Sequence, residues 1–189
     1  MNIIVIDMYF NNSNVYNFQK VFHKINPNII INVLPYNTPN LIKKIKLINP
    51  IAIIISGSKF RILEKDSPSL PLSLLKLNKP ILGICYGYQW LVKILNGQIG
   101  TFDDSKLHNY KKKIIINYPF YVDNKFYEFT HHDYIKQLPL KWKNILQYDN
   151  QIWIASNTKN KFLGIQFHPE KHLSSGIPFF KAWISWIIN

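Results

Sequence analysis

The sequence predicts an α/β fold: a flavodoxin-like open, mostly parallel sheet with helices on both faces, turning antiparallel or mixed in the C-terminal half. Three observations carry this expectation. Short, almost wholly apolar runs at residues 3–6, 29–34, 51–55 and 80–84 alternate with helical patterns, the rhythm of βαβ units whose strands are buried on both faces. The run at 80–84 ends in Gly83-Ile84-Cys85-Tyr86-Gly87 and passes directly into a helical pattern, the strand–turn–helix context of a nucleophile elbow. Beyond about residue 110 the apolar runs are joined by short polar loops instead of helices.

In chain order, the first strand (3–6) closes at Asp7 and enters a polar stretch of Asn11, Asn12, Ser13 and Asn14. Val15, Phe18, Val21, Phe22 and Ile25 then recur at helical spacing until Asn26-Pro27 stops the pattern. A β-branched strand (29–34) is closed by Pro35. Thr38-Pro39 opens a helix through Leu41, Ile42, Ile45 and Ile48, with Pro39 in the first turn, where a missing N–H costs nothing. The third strand (51–55) runs into the turn Ser56-Gly57-Ser58. Residues 67–77 read as a helix, and 80–84 as the strand that delivers Cys85. The helix after it ends at Asn96-Gly97. Strands are expected at 113–118, 126–129, 152–156 and 162–167, and an amphipathic helix carrying Trp183 and Trp186 at 179–188. With no internal repeat or low-complexity linker, residues 1–189 read as one domain.

Composition narrows the function classes. The chain has 189 residues, 23 Lys+Arg against 10 Asp+Glu, and a formal charge of +13. That charge is 22 Lys and the single Arg61, in a chain that also holds 31 Ile and 21 Asn, the mark of AT-rich coding. Surfaces that read bases or clamp phosphates favour the bidentate fork of Arg, and the lysines are scattered, with Lys111-Lys112-Lys113 the one tight run. No nucleic-acid partner is expected. A lone cysteine excludes an internal disulfide framework and a multi-cysteine metal site, and fits a reducing compartment. No apolar run approaches the roughly 20 residues of a membrane span, and the N-terminus lacks a basic n-region and cleavage site. A cytoplasmic protein without membrane contact is the expectation.

Cys85 is the first candidate for chemistry. Glycines two residues to either side remove Cβ atoms where strand and helix crowd, so the central side chain can project from a sharp turn. A helix N-terminus at Cys85 favours the thiolate, the reactive form. An inert buried thiol is the alternative; the flanking glycines favour a nucleophile. Such a nucleophile needs a base, and the base an acceptor on its other ring nitrogen. Gly164-Ile165-Gln166-Phe167-His168-Pro169-Glu170 supplies both: in an extended chain His168 and Glu170 lie on one side, and Pro169 stiffens the link.

These residues resemble the class I (triad) glutamine amidotransferases. Residues 83–89 (Gly-Ile-Cys-Tyr-Gly-Tyr-Gln) resemble the family's nucleophile motif, and Gln166-Phe167-His168-Pro169-Glu170 its His–Glu motif. Ile53-Ile54-Ile55-Ser56-Gly57-Ser58 resembles its strand followed by Ser-Gly-Gly-Pro, and Phe129-Thr130-His131-His132-Asp133 its Ser-His-x-Asp segment. Order and spacing agree over residues 3–188. The resemblance implies that Cys85 attacks the side-chain amide of L-glutamine, with His168 as general base and then acid and Glu170 orienting it, through a γ-glutamyl thioester. It further implies an oxyanion hole from the backbone N–H groups of Ser58 and Tyr86, and substrate contacts at Gly57, Gln89, Thr130 and His131. No cofactor is implied. Ammonia would pass to a separate synthetase subunit; Tyr86 and the Thr-His-His-Asp segment are most similar to the GMP-synthetase type, while the His-Pro-Glu-Lys stretch also resembles the imidazole glycerol phosphate synthase subunit.

One departure stands out: Gly57-Ser58-Lys59 replaces Gly-Gly-Pro. If the turn requires φ > 0, Ser58 makes the oxyanion hole conditional on a substrate or partner. Other readings are weaker. His131-His132-Asp133 as metal ligands lacks a supporting cluster. His23, His108 and His172 have no companion motif. The same triad would serve a γ-glutamyl hydrolase or peptidase, and a catalytically weak regulatory relative is the remaining alternative.

Overall fold

The computed structural model describes residues 1–9, 15–102 and 106–189; the polar stretch Asn11, Asn12, Ser13 and Asn14 lies outside them. Its centre is a seven-stranded sheet of β1 (Asn2–Asp7), β2 (Ile30–Pro35), β3 (Ala52–Ile55), β4 (Ile81–Ile84), β9 (Lys143–Tyr148), β10 (Gln151–Asn157) and β11 (Phe162–Ile165), in the order β2-β1-β3-β4-β11-β10-β9. Pairings from β2 to β11 are parallel, and β10 pairs antiparallel with both β11 and β9. The expected mixed sheet is therefore observed, with the reversal confined to one edge.

Period-two alternation sends apolar side chains to both faces. Ile3, Val5, Ile54, Leu82, Ile84 and Ile165 join one core with Phe18 and Phe22 of α1 (Val15–Ile25) and Phe179, Phe180 and Trp183 of α4 (Leu173–Ile188). Ile4, Ile6, Ile53, Ile55 and Ile81 join the other with Leu41 and Ile45 of α2 (Leu41–Ile48) and Tyr86, Trp90 and Leu91 of α3 (Tyr86–Ile94). Each such side chain contributes roughly 1.5–3 kcal/mol relative to exposure. Two antiparallel ribbons flank the sheet: β5 (Gln98–Thr101) with β8 (Asp133–Gln137), and β6 (His108–Ile116) with β7 (Val122–His131). No helix among the described residues is long and apolar enough to cross a membrane.

Some local expectations are corrected. Residues 67–77 are not a helix; only a 3-10 turn forms at Leu72–Leu77, because Pro68 and Pro71 interrupt the backbone donors and Pro71 holds an extended conformation before it. Helix α2 starts at Leu41 after a left-handed Asn40, so Pro39 lies ahead of the helix rather than in its first turn. Helix α4 starts six residues earlier than expected, running through Gly176 and Pro178. Gly176 is required there by proximity, since a Cβ would lie 2.5 Å from Pro169 O. Strands β5, β8 and β9 had no sequence signal. They are short and line ribbons or an edge, where half-exposed residues break the apolar pattern.

Candidate active site

The parallel strands β3, β4 and β11 end side by side, and the loops leaving them build the site. Cys85 follows β4 with φ 51° and ψ −104°, outside the helical and extended regions, and caps α3. Such backbone costs an ordinary residue of order 1–3 kcal/mol and persists only where its surroundings impose it. They do: Cys85 N–H donates to Ile165 O at 2.7 Å, and Gly87 N–H to Ser56 O at 3.1 Å. The flanking glycines are needed for clearance, as a Cβ on Gly87 would sit 2.2 Å from Ile55 O and one on Gly83 2.7 Å from Gly87 O.

His168 and Glu170 arrive on the segment after β11. His168 Nδ1 lies 2.7 Å from Glu170 Oε1, with the side chains 1% and 2% exposed. A carboxylate can only accept, so Nδ1 carries the proton and Nε2 is left for the nucleophile. Burial opposes charge on His168, but the Glu170 carboxylate and the bond to Cys85 outweigh it and hold the imidazole well above its ordinary range. The ring is located from two more sides. His168 N–H donates to Glu128 O at 2.9 Å, and a Cβ on Gly57 would fall 2.8 Å from His168 Cε1. Gly57 thus sits against the ring and is not part of the pocket wall.

The pocket before Cys85 has a volume of about 270 Å³ and is lined by Ser58, Arg61, Tyr86, Gln89, Thr130 and His131 among others. That is small for a ligand cavity and suits a single small metabolite. Among the described residues the backbone N–H groups of Ser58 and Tyr86 donate to no protein acceptor. Ser58 is not among the positive-φ residues, so the premise for a conditional oxyanion hole is absent. Instead its hydroxyl donates to Met8 O at 2.8 Å and accepts from Phe60 N–H at 3.2 Å, tying the loop to the end of β1.

Gln89 donates through Nε2 to Asp133 O at 2.7 Å, leaving its oxygen as the end not engaged by that carbonyl. Thr130 O lies 3.5 Å from Cys85 Sγ. His131 is buried, with Nδ1 3.0 Å from Asp133 O and Nε2 3.2 Å from Tyr110 Oη; burial first, and nearby histidines second, lower its pKa to about 4 against the bond to Asp133. It is neutral at pH 7. Both His131 nitrogens and the Asp133 carboxylate are thus engaged within the fold rather than presented together as ligands.

Two members of the site were missed in the sequence. Arg61, the chain's one arginine, pairs with Asp133 at 3.0 Å across the pocket, a contact between residues 72 positions apart that no local pattern encodes. Gln166 lies inside the His–Glu motif, yet its contact with Cys85 Sγ at 3.4 Å depends on the pairing of β11 with β4.

The chain is similar to several known proteins. The family model for glutamine amidotransferase class-I matches residues 4–182. A GMP synthase [glutamine-hydrolyzing] of Borrelia garinii is 36% identical over 146 residues, covering 73% of this chain and 26% of that protein. The Clostridium tetani enzyme of the same name is 31% identical over 171 residues, 83% of this chain and 31% of that one. The chain therefore spans about a quarter to a third of these relatives. Among solved structures, a protein of Thermoplasma acidophilum described as a GMP synthase subunit superposes with a TM-score of 0.74 at 19% identity, covering 100% of this chain and 94% of that one. The glutaminase domain of a Trypanosoma brucei CTPS gives 0.68 at 13% identity, with 99% and 93% covered.

Proposed function

The chain belongs to the class I glutamine amidotransferase family, and from that premise we propose that it hydrolyses the side-chain amide of L-glutamine with Cys85, His168 and Glu170. The observation that carries the proposal is a strained Cys85 beside a buried, Glu170-bound His168. Because its imidazole is held well above the ordinary range, His168 keeps the proton drawn from Cys85 on Nε2 while Sγ adds to the amide carbon. The oxyanion is held by the N–H groups of Ser58 and Tyr86, which no protein acceptor engages among the described residues. Collapse breaks the C–N bond, and His168 returns the proton to the departing ammonia, leaving a γ-glutamyl thioester. His168 then deprotonates a water that attacks the thioester, releasing glutamate and restoring the thiol. Glu170 keeps Nδ1 protonated throughout. No step draws on a cofactor.

Substrate specificity is assigned to the small pocket. The oxygen of Gln89 accepts from the substrate α-ammonium, and the backbone of Thr130 and His131 completes the cradle, with Gly57 contributing by admitting the His168 ring. We read residues 1–189 as one glutaminase domain whose ammonia is used by a synthetase of the GMP-synthetase type. The support is that the Borrelia and Clostridium relatives are GMP synthases of which the matched region is about a quarter to a third. The pocket volume favours free glutamine over the bulkier substrates of a γ-glutamyl hydrolase.

The test measures glutamate and ammonia from L-glutamine with wild type and Cys85→Ala, alone and with a GMP-synthetase-type synthetase subunit. Equimolar, Cys85-dependent products are expected. Wild type indistinguishable from Cys85→Ala under both conditions would overturn the assignment.

A further inference from the structure

The polar side chain closest to the nucleophile that the mechanism above leaves unused is Gln166. It is 0% exposed and its amide belongs to a buried relay. Gln89 Nε2 lies 2.7 Å from Asp133 O and 3.3 Å from Gln166 Oε1, while Gln166 Nε2 lies 3.4 Å from Cys85 Sγ. The direction of this relay follows from one fixed end. The Asp133 carbonyl only accepts, so the amide nitrogen of Gln89 must face it. The second N–H of that group points to Gln166 and requires an oxygen there. Gln166 consequently turns its own NH2 to sulfur.

Resting on the reading of Cys85 as nucleophile, we infer that Gln166 is a positioning residue that donates a hydrogen bond to Cys85 Sγ, aiming it and favouring thiolate over thiol. Beside the His168 ring, which bonds to Cys85, two further neighbours of the sulfur have opposite preferences. Thr130 O, at 3.5 Å, accepts from a thiol but repels a thiolate; the Gln166 N–H binds a thiolate far more strongly than a thiol. Gln166 therefore offsets Thr130 as His168 takes the proton. Gln89 acts twice: its oxygen toward substrate, its nitrogen as the anchor that stops the Gln166 amide from rotating.

Cys85 is the chain's single cysteine, so loss of free thiol on treating the folded protein with iodoacetamide reads this sulfur alone, whether or not glutamine is turned over. Rates are measured from pH 5 to 10. Gln166→Met, close in shape and lacking the donor, is expected to react about tenfold more slowly at pH 7, with its pH profile displaced upward, as for loss of a hydrogen bond to a charged group. Gln89→Met, which leaves Gln166 present but free to turn, shifts the profile the same way by less. In turnover, Gln166→Met lowers kcat with little change in KM, whereas Gln89→Met also raises KM. Wild-type alkylation profiles in both variants, with unchanged far-UV circular dichroism, would overturn the inference. If Gln166→Met does not fold, an unchanged Gln89→Met profile overturns it by itself. A wild type that alkylates with the expected profile yet yields no glutamate counts against the glutaminase reading alone.

Discussion

Two histidine–glutamate pairs, their histidines four residues apart, differ in almost everything but their length. His168 and Glu170 meet at 2.7 Å with side chains 1% and 2% exposed; His172 and Glu128 meet at 2.6 Å with the histidine 44% exposed. The inner pair faces one sulfur and one substrate pocket. The outer carboxylate is shared by His172, Lys111 and Lys171, and their bonds lower its pKa to about 2 against the opposing effect of burial. Equal distances thus give unequal consequences. Water and salt screen the outer pair, whereas in the inner one the loss of a partner strands a charge in a dry site.

The comparison is broken most severely by His168→Ala, expected to reduce glutaminase turnover by about a thousandfold or more, as for loss of a triad base. Steady-state ammonia release checks it. Gly57→Ala comes next. With a Cβ driven to 2.8 Å from His168 Cε1, the ring must move, and a displacement near 1 Å costs about a hundredfold in kcat, while circular dichroism stays native.

Glu170→Gln sharpens the contrast through pH. His168 is raised to about 10, so the stability it contributes is complete below its ordinary 6.5 and disappears as pH climbs through about 10. The melting temperature of wild type should fall more steeply than that of Glu170→Gln between pH 7 and 10. Glu128 has the opposite sign: its contribution is complete above about 4.5 and lost as pH falls toward 2. Equal slopes for wild type and Glu170→Gln would show that the buried pair carries no such linkage. The smallest effect belongs to His172→Ala, about 0–1 kcal/mol by urea titration with turnover retained; a loss beyond about 2 kcal/mol would erase the distinction between the pairs.

The two regions were also unequally legible. The elbow was readable because its glycines record a contact: Gly87 has no Cβ because Ile55 O occupies that space. His168 and Glu170 were readable because both lie on one short extended segment. What decides their behaviour was not readable. Glu128, which fixes the His168 backbone and gathers the outer cations, comes from β7 some 40 residues earlier, and its register is set by tertiary pairing. The same holds for Arg61 with Asp133. Ser58 shows the reverse case: the sequence flagged a glycine lost, but strain depends on φ, and the fold gives this residue an ordinary backbone and a hydroxyl tether. Local patterns likewise missed β5, β8 and β9, whose stability lies in cross-strand partners rather than in their own composition.

The positive-φ backbone at Cys85 sets chemistry and durability against each other. A glycine at that position would adopt φ 51° without penalty, so the sturdiest version of this turn is one that has no thiol at all. Any lineage of this protein that is driven toward heat tolerance must therefore find its gains elsewhere, in cores, caps or loop lengths, while this one link stays under tension. The nucleophile marks a ceiling on how relaxed the working molecule can become.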